Sequence, residues 1–247
     1  MFYDPANFSI SASYNEQQQH SPEIEKDISK DYKGSFSYSY NFNPKPWEPF
    51  KGVEKLKKVK FFSEMNFYYL PQSWAFNTNM QRSFTHLKMR DFSSELGGSI
   101  NEKEYTFSKD FTWDRNFDFK YDLTKNIKFS FQTAMNSTVD EGEYTPEILK
   151  MYEDLRFGNN YYELWKDSIQ RSMATWGRPY TYQQQFFASW NVPFNRIPCI
   201  EALTANASYN ATYNWNRTMQ ANEQQTPLGN VISSTRAWQV DGGINFE

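Results

Sequence analysis

Two histidines, one cysteine and a run of evenly spaced aspartates are the side chains here that invite a chemical reading. His20 lies in a polar stretch and His86 near the end of a strand pattern; neither has the neighbours that a Ser-His-Asp triad or a metal site requires. Cys199 stands alone, which excludes an internal disulfide framework and any cysteine-rich metal site, and it reads as a small, part-buried apolar residue. Asp114, Asp118 and Asp122 recur every four residues and carry the charge for Ca²⁺. On an extended strand such residues stand about 13 Å apart and do not converge, so they read as a hydrated wall. No catalytic residue, metal ligand or cofactor is expected, and the chain is not read as an enzyme.

The elements that carry these residues say more. From Tyr105 to Leu123 the odd positions read Tyr, Phe, Lys, Phe, Trp, Arg, Phe, Phe, Tyr, Leu, and the even positions between them are all polar. Successive side chains on a strand point to opposite faces, so this is one strand of about twenty residues with an aromatic and a polar face. The parity does not slip at Asp114-Arg115, which argues against a turn there. Thr124, Lys125 and Asn126 make the turn, and Ile127, Phe129 and Phe131 resume on the return strand.

Strands of soluble proteins average about 5–6 residues. Much longer strands with a greasy side and a wet side are the pattern of a transmembrane β-barrel. Composition agrees: aromatics reach 19% while mean hydropathy is −0.84, and Leu, Ile and Val are scarce. That combination suits interfacial girdles and a lipid-facing band. No apolar run reaches the length of a transmembrane helix. The net charge of −3 gives no argument for nucleic acid.

Taken in order, residues 6–15 give a first strand, and the polar stretch 16–31 reads as an exposed loop. The second strand places Phe36, Tyr38 and Tyr40 against Ser37 and Ser39 and ends at Pro44 and Pro46. Residues 44–72 read as a periplasmic-side connector, either with a short basic amphipathic helix (Val53, Leu56) or as a solvated link before a short strand, Phe67 to Leu70. A third strand opens at Trp74 and runs to Phe84 or on to Arg90; residues 92–103 are loop. Residues 140–179 break the β pattern: Pro146 marks a helix start, a second helical stripe runs from Tyr161 to Met173, and Gly177 closes it. This insertion is expected on the barrel rim or in the lumen. Strands return at 180–192, 205–215 and around 238–246.

The fold class is thus all-β: about eight long antiparallel strands of a transmembrane barrel, with one helical excursion. Residues 1–247 read as a single partial barrel segment. The absence of a signal peptide and an end in mid-strand pattern suggest an interior piece of a larger chain. Lipid-facing candidates are Phe36, Tyr38, Tyr40, Phe111, Trp113, Phe117, Phe119, Tyr121, Phe129, Phe131, Tyr209, Tyr213 and Trp215. Lumen-facing candidates are Ser37, Ser39, Thr112, Asp114, Asn116, Asp118, Asn210, Thr212 and Asn214.

Several stretches together resemble one family. They are Tyr3-Asp4-Pro5-Ala6-Asn7-Phe8-Ser9, Pro44-Lys45-Pro46-Trp47-Glu48-Pro49-Phe50, Phe111-Thr112-Trp113-Asp114-Arg115, Tyr121-Asp122-Leu123-Thr124-Lys125-Asn126, and Ile197-Pro198 followed by the Tyr209 to Trp215 strand. In this order they resemble the SprA/Sov proteins, gliding-motility and secretion proteins of the Bacteroidota. The resemblance implies a bacterial outer-membrane location and a wall segment of the type IX secretion translocon, a very large barrel through which folded cargo leaves the periplasm. The implied partners are outer-membrane lipid, the remainder of the barrel chain, secreted cargo, and plug and lateral-gate subunits. The competing readings are a porin-like or TonB-dependent small-molecule barrel and a surface β-sheet that stacks on glycans.

Overall fold

The computed structural model describes residues 2–50, 65–90, 106–142, 145–151, 160–197, 200–217 and 229–244. Eight strands form one antiparallel meander in sequence order: β1 (Phe8–Gln19), β2 (Ile24–Asn41), β3 (Ser73–Met89), β4 (Thr106–Asp122), β5 (Ile127–Thr138), β6 (Arg178–Val192), β7 (Leu203–Asn216) and β8 (Val231–Ile244). Two helices, α1 (Pro146–Met151) and α2 (Asn160–Ala174), interrupt the series between β5 and β6. No helix among the described residues is long and apolar enough to cross a membrane. The sheet is open: among the described residues β1 and β8 each pair on one side only.

The long strand is a single strand of 17 residues, uninterrupted at Asp114-Arg115. Its turn forms as the residue types dictate: the Thr124 hydroxyl accepts from the backbone of Asn126 (3.2 Å) and Ile127 (3.0 Å), the local bonding that makes threonine a turn residue. The connector pins the same turn, because the buried Asn66 side chain accepts from the Lys125 N–H at 2.9 Å.

Residues 16–31 are not a loop. β1 runs on to Gln19, the chain reverses within four residues, and β2 begins at Ile24. What holds these polar residues extended is pairing: Glu16 faces Lys30, Tyr14 faces Tyr32, and β2 is itself clamped along its length by β3. His20 stays at the reversal, its Nδ1 2.6 Å from the Glu25 carbonyl. The exposed loop expected over 16–31 is thus a reversal of four residues, 20–23. The expected strand from Phe67 to Leu70 reduces to one isolated bridge, Trp47 to Phe67. The basic stretch at 53–60, the loop at 92–103 and Cys199 lie outside the described residues.

The register contains a quantity that the sequence conceals. One continuous cross-strand row runs Phe8, Tyr38, Phe76, Phe117, Thr133, Gln184, Tyr213, Ser234. Phe8 begins β1, Tyr38 is three residues inside the near end of β2, and Phe117 is five inside that of β4. Gln184 is eight inside that of β6, and Ser234 ten inside that of β8. A climb of ten residues over seven inter-strand steps is about 33 Å against about 34 Å, at about 3.3 Å per residue and about 4.8 Å per strand. Where the near ends mark a level, the strands lean about 45° from the perpendicular to it. Membrane barrels lean about 35–45°.

Candidate functional site: the two faces of the sheet

Register sorts the side chains of all eight strands into two surfaces. Every lipid-facing candidate falls on one face: Phe36, Tyr38 and Tyr40 on β2, Phe111, Trp113, Phe117, Phe119 and Tyr121 on β4, Phe129 and Phe131 on β5, Tyr209, Tyr213 and Trp215 on β7. Their rings touch across neighbouring strands in two runs. Trp74 meets Phe117 (5.9 Å), Phe117 meets Phe131 (6.4 Å), Phe129 meets Phe186 (6.2 Å), Phe186 meets Tyr209 (6.1 Å) and Tyr209 meets Trp238 (4.2 Å). Each such pair adds about 0.5–1.5 kcal/mol beyond area burial. The layer remains half open outward, with Trp74, Trp190 and Trp238 exposed.

The opposite face collects every lumen-facing candidate. One row reads Ser9, Ser37, Asn77, Asn116, Ala134, Gln183, Asn214, Ser233 across all eight strands, without a charge or a large apolar group. Ser39 and Asp118 lie one same-face position away on one side, and on the other Asp114 lies one and Thr112 two positions away; Asn210 and Thr212 continue the face on β7. Hydroxyls bond along it, Ser11 to Ser35 at 2.6 Å and Ser29 to Thr85 at 3.2 Å. Asp114, Asp118 and Asp122 share this face on one strand, spread along it as an extended backbone requires. No group of three or more His, Cys, Asp or Glu that could hold a metal occurs among the described residues. His86 is buried against Phe84 and Phe107.

The aromatic face also carries the cations Arg82 and Arg115. Arg82 on β3 is held by two carboxylates: Glu141, which accepts from its Nε, and Glu147 on α1, which accepts from both terminal nitrogens at 2.8 and 2.9 Å. Tyr32 and Trp165 of α2 lie 5.5 and 5.9 Å from the guanidinium. Side chains here are largely withdrawn from water, Arg82 at 12% and Glu141 at 4% exposure. Arg115 on β4 donates to the Ser137 hydroxyl (2.5 Å) and the Trp176 carbonyl (2.7 Å), and its guanidinium sits on Trp113 and Trp176. The helical insertion is thus clasped onto the aromatic face. Phe111 and Trp113, read as lipid-facing, lie at this clasp: Phe111 shares a cavity wall with Trp165, and Trp176 stacks on Trp113 at 5.8 Å.

The clasp closes through a helix end in an uncommon state. The N–H of Gly177 bonds to the Ser172 carbonyl (2.7 Å) and that of Trp176 to the Met173 carbonyl (3.0 Å), the paired bonds of a Schellman end. Trp176 occupies the left-handed position, φ 65°, that glycine normally fills. Stacking on Trp113 and the bond from Arg115 hold it there. Gly177 is left-handed as well, φ 70°, and a Cβ on it would lie 2.9 Å from the Thr138 carbonyl oxygen. Gly177→Ala is therefore expected to loosen the clasp by more than about 1 kcal/mol. Hydrogen exchange across residues 160–176 checks this, since the substitution should speed exchange there and leave β7 unchanged.

Glu147 gives the clasp an acid limit. Burial alone pushes its carboxyl up, but the hydrogen bonds and charge of Arg82 outweigh burial and hold it below the usual carboxylate range. A depressed folded-state pKa stabilises fully above the unfolded value and is lost as pH falls through the folded one. Docking of the insertion is expected to be constant from neutral pH to about 5 and to weaken below about 4. Proteolysis between α1 and α2, followed against pH, should show that onset, and Glu147→Gln should remove it.

No family model matches the chain, and no curated protein matches it. The fold and its faces define a class: an open, all-β, antiparallel sheet of eight tilted strands, aromatic on one side and amide- and hydroxyl-lined on the other.

Proposed function

We propose that this chain is a wall segment of an outer-membrane protein-conducting channel, its aromatic face against lipid and its polar face lining an aqueous lumen. The observation that carries the reading is the division of all eight strands into those two faces at a tilt of about 45°. In hydrocarbon every backbone polar group needs a partner, so an open sheet serves there only as an arc of a closed barrel. The edges of β1 and β8 would be covered by further strands of the same wall.

Export of folded protein, rather than uptake of a small solute, is supported by the resemblance to the SprA/Sov family and by the chemistry of the polar face. Rows of Ser, Asn, Gln and Thr hold water and offer a folded cargo little apolar surface to adhere to, Phe187 being a ring among them. Three bulky apolar substitutions along one row, Ser37→Phe, Asn116→Phe and Asn214→Phe, are expected to slow export several-fold without loss of the barrel from the membrane. Export at the normal rate would mean that cargo does not pass this wall.

The direct test is deletion of the gene with comparison of secreted proteins. Cargo bearing C-terminal secretion signals should accumulate in the periplasm. An unchanged secretome together with lost uptake of one nutrient would assign the chain to the porin-like or TonB-dependent barrels instead.

A further inference from the structure

We infer that α2 is an interfacial helix, lying along the lipid headgroups outside the barrel and fixing how deep the wall sits in the membrane. This rests on the reading of the aromatic face as the lipid face. The first observation is level. α2 reaches the sheet at Arg82 through Trp165, and the residue pair after its end reaches Trp113 through Trp176. Arg82 is nine residues inside the near end of β3, and Trp113 is nine inside that of β4. Two contacts on different strands at one height set the line from Trp165 to Trp176 parallel to the line of near-side strand ends, hence in the plane of a membrane that follows those ends.

The second observation is height. At a tilt of about 45° each residue climbs about 2.3 Å, so nine residues stand about 21 Å above the near ends. The apolar band of an outer-membrane barrel is about 25 Å tall. The helix therefore sits close to the far boundary of that band, where hydrocarbon gives way to headgroups.

The third observation is what the helix leaves exposed. Tyr162 is 55% exposed, Leu164 60% and Trp176 60%; at about 100° per residue Tyr162 and Leu164 stand on opposite flanks of the side docked by Trp165, Ser168 and Ser172, so both edges of the helix carry an apolar group. Trp and Tyr with one apolar and one polar end are the residues that settle at headgroup depth. Trp176 joins the sheet's aromatic layer through its stack on Trp113. Charge does not drive this placement: Glu163 and Asp167 balance Lys166 and Arg171 on the described helix. Geometry and aromatic character do. The clasp on Arg82 then has a purpose, since a depth gauge works only when rigidly joined to what it positions.

The test uses the full-length protein with Cys199 replaced and a single fluorophore attached at Leu164→Cys, in phosphatidylcholine vesicles carrying a nitroxide either on the headgroup or deep on the acyl chain. A second label at Phe131→Cys reports the sheet, and Tyr162→Cys replaces the helix label if Leu164→Cys fails to fold. Headgroup nitroxide should quench the helix label several-fold more than deep nitroxide, and the Phe131 label should show the reverse. Two results would overturn the inference while leaving the barrel reading intact: a helix label quenched only by aqueous iodide, or one quenched by deep nitroxide as strongly as Phe131. A Phe131 label insensitive to both nitroxides would remove the lipid reading and this inference with it.

Discussion

Arg82→Met is expected to release the helical insertion from the sheet. The substitution leaves the Glu141 and Glu147 carboxylates in a site drained of water with no cation to answer them. Breaking a buried pair from one side costs about 3–5 kcal/mol, mostly the cost of the charge left behind. That exceeds what the remaining contacts of the insertion supply individually, since the Trp113–Trp176 stack contributes about 0.5–1.5 kcal/mol. The Arg115 bond to the Trp176 carbonyl contributes about 1.5–3 kcal/mol. Arg82→Lys should recover only part of the loss, because an ammonium cannot match the fork that binds Glu147 through two nitrogens. Adding Glu141→Gln and Glu147→Gln to Arg82→Met should restore much of the docking, because the stranded charges are then gone. Hydrogen exchange over 145–151 and 160–176 measures all four proteins; the single variant should exchange fastest, and equal protection in all of them would show that the clasp is not electrostatic.

The second large effect separates the faces. Phe117 stands five residues inside the near end of β4, about 12 Å up at a tilt of about 45°, and so near the middle of the proposed apolar band. Phe117→Arg is expected to cost about 2–4 kcal/mol for a cation at mid-depth, with the ring contacts to Trp74 and Phe131 lost besides. Asn116→Arg, one residue away and pointing to the other side, is expected to stay within about 0.5 kcal/mol, as at any watered surface. Urea titration of folding into lipid vesicles reads the difference. Comparable costs at both positions would mean that the two faces share one environment.

β4 was legible because its parity never slips: an aromatic at nearly every odd position from Phe107 to Tyr121 leaves no other extended reading. The helical excursion was legible for the opposite reason, since Pro146 and the stripe through Trp165, Ile169 and Met173 break that parity with a period near 3.6. The hairpin between β1 and β2 was not legible. Where a strand continues beyond an apolar band both of its sides meet water, and Glu16 to Gln19 with Asp27 to Asp31 then carry no hydropathic alternation. A faint signal existed in Ile28, Lys30 and Tyr32, which keep the parity of Phe36, and in Ser21-Pro22 at the reversal. The clasp was hidden because its halves are distant in sequence: Arg82 and Glu147 are 65 residues apart. The clue was a cation on an aromatic face, since Arg82 and Arg115 there need partners that the strand itself does not supply. Tilt was out of reach until the register of every pair was known.

The central claim is that one face of this sheet meets lipid and the other water, and alternate-residue cysteine labelling tests it most directly. With Cys199 replaced, cysteines at Asn116, Phe117, Asp118 and Phe119 of β4 and at Ala207, Ser208, Tyr209 and Asn210 of β7 would be exposed in intact membranes to a charged maleimide that does not enter hydrocarbon. The account predicts labelling at 116, 118, 208 and 210 and protection at 117, 119, 207 and 209. Uniform labelling along both strands, or the reverse alternation, would contradict it.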